Sequence, residues 1–182
     1  MRNVHDDTCH GALSRHNLRS FYFYGMKDVL LQEYELVKES RSVLFNYCET
    51  VSPEHFTREV PGFGRGGSMN SLLAHIANSY QYWTAVHCLN ENPARITADK
   101  ATTIAECREL YKYIDTLVQR LTESFEKNYY EDISSAVGNR TFLASPFKVF
   151  VHVTTHEYHH KGQILTISRH LGYTPVDTDV LR

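Results

Sequence analysis

The sequence predicts an all-α protein, a four-helix bundle with a short irregular or hairpin linker between its third and fourth helices. Two observations carry this. Four long stretches place apolar residues at alternating spacings of three and four, the period of a helix with one buried face. Capping residues and prolines then fall at the ends of those stretches rather than inside them.

The first helix is expected roughly from Lys27 to Thr50, with Leu30, Tyr34, Val37, Leu44 and Cys48 as its buried stripe and Arg41 interrupting it. Ser52-Pro53-Glu54 breaks it. The run PGFGRGG, from Pro61 to Gly67, is too rich in glycine to be helical; with no G-K-[ST] after it, it is expected as a connection rather than a phosphate cradle. The second helix is expected from Ser68, an N-cap, to about Leu89, with Leu72, His75, Ile76, Ser79 and Trp83 following one face. The third carries a capping box, Thr103 with Glu106, and a seam of Cys107, Leu110, Ile114, Leu117 and Leu121. Gly138-Asn139 between short apolar runs marks a small hairpin. Ser145-Pro146 opens the fourth helix and Leu171-Gly172 ends it. Residues 1–25 are largely polar and aperiodic, an extension expected to be poorly ordered, with the aromatic run Phe21 to Tyr24 able to pack on the body; residues 26–182 form the predicted bundle.

The chain has 182 residues, enough for one domain with an ordinary core. A net charge of −2 lacks the basic surplus of a nucleic-acid binder. No apolar run approaches a membrane span, and the N-terminus lacks the apolar stretch of a signal peptide. Cys9, Cys48, Cys88 and Cys107 form no C-x-x-C pair and read as reduced thiols of a cytoplasmic protein.

Histidine is the unusual count: eleven, four of them between 152 and 160. His156 and His160 lie one helical turn apart, about 40° around the axis, a ready chelate for a transition metal. They stand on the predicted seam Val149, Val153, His156, His160, Ile164, Ile167, Leu171. Buried imidazoles there need partners for both ring nitrogens. His75, on the apolar face of the second helix, supplies a third imidazole and completes a three-histidine site with one position open. His152, one turn before His156, is a candidate fourth ligand or supporting partner. His159 is expected to meet solvent or a neighbouring subunit, His87 is left as structural, and Gln163 is placed to orient a ligand ring or a substrate. Tyr80 and Trp83 are candidate pocket residues.

His156-Glu157-Tyr158-His159-His160 also matches H-E-x-x-H, in which the glutamate is the base of a zinc hydrolase. The position six residues past the second histidine is Thr166, and no glutamate follows Glu157, so the usual third ligand is missing. Glu157 as a catalytic base stays open beside a plainer role as a carboxylate on the helix flank. A di-iron site needs a second E-x-x-H, which the chain lacks.

Two blocks, SLLAHIANSYQYW (Ser71 to Trp83) and HVTTHEYHHKGQIL (His152 to Leu165), followed by RHLGYTP, resemble the DinB family of metal-binding four-helix bundles. The resemblance implies that His75, His156 and His160 bind a divalent metal, zinc or nickel first, iron or manganese next. It implies a homodimer, and a thiol-dependent S-transferase or isomerase using a small thiol such as bacillithiol or mycothiol. It implies no DNA binding. Lys161 stands where the family motif commonly has arginine. A non-enzymatic stress or binding protein, whose metal only ties two helices together, is the competing class.

Overall fold

The computed structural model describes residues 25–63, 66–137 and 139–182. The expectations for residues 1–24 and for the centre of the glycine-rich loop lie outside them. Four main helices pack together, with a β-hairpin before the last. They are α1 (Met26–Cys48), α3 (Met69–Tyr80), α4 (Ile104–Ser124) and α5 (Pro146–His170). The five-residue α2 (Pro53–Thr57) sits between α1 and α3. The same Ser52-Pro53 that ends α1 starts α2: the Ser52 hydroxyl accepts the His55 N–H, and proline fits the first helical turn.

The anticipated caps are formed. Thr103 and Glu106 cap α4 reciprocally, Ser68 caps α3 and Ser145 caps α5. At the end of α5 the Tyr173 N–H reaches Ser168 O and the Gly172 N–H reaches Arg169 O. This closure requires a left-handed residue, and Gly172 supplies it at φ +90°. Strands β1 (Ile133–Val137) and β2 (Arg140–Ala144) pair antiparallel, with Val137 opposite Arg140, so the hairpin stands where the sequence predicts one.

The second predicted helix departs from expectation beyond Tyr80. Gln81–Cys88 continues it as a π-helix, closing with Leu89 N–H on Thr84 O. The wider ring shifts the faces of the following residues. Trp83 consequently turns toward the hairpin and α5, meeting Phe142 and His152 edge-on, while His87 binds Ser135 Oγ and Ala144 O. His87 is structural, as expected.

The core lies among α1, α3, α4 and α5, with Leu44, Leu72, Ile76, Ile114, Leu117 and Ile164 fully buried. Tyr34 stacks edge-on against Tyr80 and Phe150, which joins α1, α3 and α5. No helix among the described residues is long and apolar enough to cross a membrane.

Candidate metal centre

Helices α3 and α5 pack against each other, and that contact brings three distant imidazoles to one point. His156 Nε2 lies 3.2 Å from His75 Nε2 and 3.1 Å from His160 Nε2. Donors bound tetrahedrally at about 2.0–2.1 Å from one ion stand about 3.3 Å apart. The two separations from His156 match that spacing, and all three donors lie within 4.8 Å of one another. Chemistry and geometry both fit a divalent cation.

Protonation favours the same use. Gln163 Oε1 lies 2.6 Å from His160 Nδ1, accepting its proton and leaving the Nε2 lone pair aimed into the cluster. Burial holds the His156 imidazole down to about 4, helped by repulsion from His160 and His75, so it is neutral at pH 7. Burial lowers His160 and His152 as well. Removing the Gln163 acceptor, in Gln163→Leu, is expected to weaken metal affinity roughly 10- to 100-fold, measured by competition with a chromophoric chelator.

The cluster sits only partly in the predicted core seam. His160 is buried, His156 half-buried and His75 exposed. The buried face of α5 keeps Val149, Val153, His160, Ile164 and Ile167 of that seam and widens to take in Glu157 and Lys161, while His156 falls at its edge. The imidazoles therefore form a rim at the margin of the bundle. His152 is not among the converging donors; its ring stacks on that of His156, with centroids 5.5 Å apart. His159 is exposed, with its ring edge against His160.

Glu157 needs correcting as a candidate base. It is 1% exposed and faces away from solvent into a closed ionic network. Its Oε1 accepts from Arg41 Nε at 2.9 Å and pairs with Lys161 Nζ at 3.2 Å. Its Oε2 accepts from Arg41 Nη2 at 2.9 Å and from the Tyr80 hydroxyl at 2.8 Å. Arg41 continues to Asp115 at 2.7 Å, and Lys161 donates to Ser40 Oγ and Val37 O. Although burial opposes it, the adjacent Arg41 and Lys161 charges hold the Glu157 carboxyl down to about 2. A carboxylate so engaged cannot take a proton from a water at neutral pH. Tyr80, fully buried on Glu157, likewise belongs to this network and not to a pocket.

A helical bundle whose margin carries three imidazoles able to hold a metal ion defines the class. The chain belongs to the DinB family, whose model matches residues 26–182. Comparison with curated proteins returned no match.

Proposed function

We propose that this protein is a metalloenzyme in which His75, His156 and His160 hold one divalent ion, zinc or nickel, and leave a position open toward the cleft beside His75. The observation that carries this is the convergence of three Nε2 atoms at a half-open margin with no fourth protein donor among the described residues. A divalent ion there supplies Lewis acidity, lowering the pKa of a thiol or water that reaches it. The chain's residues do the rest: Gln163 fixes one imidazole, and the α3–α5 contact holds all three.

Thiol-dependent S-transfer is the reaction class proposed, through the family likeness. Among the described residues the protein's own sulfur is unsuited to the nucleophile: Cys48, Cys88 and Cys107 are buried and free, and burial pushes each thiol up to about 12. The attacking sulfur is therefore assigned to a small co-substrate thiol. Homodimer assembly goes with the same likeness. The competing reading, a metal that only clamps α3 to α5, expects a closed site with His152 as fourth ligand, and His152 is not among the converging donors. The hydrolase reading loses its base with Glu157.

Adding a small thiol to cobalt-loaded protein tests the proposal. A sulfur-to-cobalt charge-transfer band is the expected result; a cobalt site that binds no thiol and no other exogenous ligand would instead identify a structural metal.

A further inference from the structure

We infer that Arg95 anchors a carboxylate on the small molecule that reaches the histidine cluster, an inference that rests on the metal reading above. Two clefts flank His75, of about 410 Å³ and about 280 Å³. His75, Asn78 and Arg95 line both. The larger has the size of a small-ligand pocket. Its other walls are mostly apolar surface, from Tyr82, Val86 and Pro93, with Ser79 and Gln81 as polar groups. No acidic residue lines either cleft, and Arg95 is the only formally charged side chain in both linings.

The position of Arg95 is built. Asn78 lies one turn after His75 on α3 and grips the chain next to Arg95 from both sides. Its Oδ1 accepts the Ile96 N–H at 3.0 Å, and its Nδ2 donates to Ile96 O and to Ala74 O at 3.1 Å. The segment carrying Arg95 is thereby pinned to the helix that carries His75. Arg95 itself is exposed and pairs with no carboxylate among the described residues, unlike Arg41, Arg108 and Arg120.

Electrostatics then selects the ligand. A guanidinium lining the cleft beside a site for a dication is repelled by it. A ligand that puts one anionic donor on the metal and a carboxylate on Arg95 reverses that sign at both ends. The planar fork of arginine matches a carboxylate with two parallel hydrogen bonds. Taken with the thiol of the proposed function, the class this points to is a small thiol bearing a carboxylate.

The experiment uses the full chain loaded with cobalt and titrated with mercaptoacetate, mercaptopropionate and mercaptobutyrate, each beside its methyl ester. Binding is followed by the sulfur-to-cobalt charge-transfer band. At least one acid is expected to bind more tightly than its ester. Arg95→Gln is expected to weaken that acid roughly tenfold and leave the ester unchanged, with Arg95→Lys recovering part of the loss. Normal cobalt uptake with acid and ester equally affected by Arg95→Gln would overturn the anchor alone. Failure of the wild-type chain to take up cobalt would overturn the metal reading and the anchor with it.

Discussion

Replacing Glu157 with alanine is expected to destabilise the fold by roughly 3–5 kcal/mol, the largest effect of any single substitution proposed for this chain. The magnitude follows from what is left behind. Arg41 and Lys161 are 3% and 1% exposed, and Glu157 is the one carboxylate both share. Four charges close the network, Arg41 and Lys161 against Glu157 and Asp115. Removing Glu157 leaves a buried excess of positive charge and a Tyr80 hydroxyl without its acceptor. Glu157→Gln keeps the shape and some of the hydrogen bonds, so its loss is expected to be smaller. Replacing Arg41, Glu157 and Lys161 together by methionine, leucine and methionine is expected to recover much of the stability, because the three deeply buried charges leave together and the remaining Asp115, with its side chain 29% exposed, keeps water and the Tyr34 hydroxyl as partners.

Urea unfolding of metal-free protein measures this without interference from the histidines. A change below about 1 kcal/mol for Glu157→Ala would mean that water reaches the carboxylate, and would restore Glu157 as a candidate base. Acid has the same target. The folded Glu157 carboxyl titrates at about 2 against an ordinary 4.5, so its stabilisation is fully present above 4.5 and is lost as pH falls from there toward 2.

This network also shows where sequence reasoning reached its limit. The helices, their caps and the existence of the hairpin were legible because each depends on local spacing or local hydrogen bonding. His75 meets His156 across 81 residues, and it was reached only through the expected facing of two helices and the family resemblance. The full width of the buried face of α5 was not legible. Glu157 and Lys161 stand one step of about 100° from His156 and His160, and a narrow seam drawn through the histidines leaves them out, although Lys161 is buried beside His160. Charged side chains are ordinarily read as solvent-facing, since they are rarely buried without a partner. The partner here is Arg41, 116 residues from Glu157. One signal did point to it: Arg41 interrupts an otherwise apolar stripe on α1, and a cation on a buried stripe calls for a buried anion elsewhere. The π-helical turn after Tyr80 had no such signal, because the sequence from Gln81 to Cys88 suits an α-helix equally well. Arg95 was overlooked because its relevance comes from the Asn78 clamp, a contact across 18 residues.

His156→Ala is expected to take metal content from near one ion per chain to near none, measured by elemental mass spectrometry on untagged protein. His156 Nε2 is the shared neighbour of the other two donors, so its loss leaves His75 and His160 without their common centre. The rim position of the cluster separates this outcome from the previous one. His156 is half-exposed and outside the ionic network, so the metal-free variant is expected to unfold at nearly the same urea concentration as metal-free wild type. A chain beginning at Met26 belongs in the same measurement, since His5, Cys9, His10 and His16 precede it and can take up metal adventitiously. One ion per chain that survives removal of the first 25 residues and disappears with His156 locates the metal on the α3–α5 rim. Metal retained by His156→Ala would place it elsewhere, and metal absent from wild type would leave the three imidazoles as a hydrogen-bonded polar edge with no part in metal chemistry.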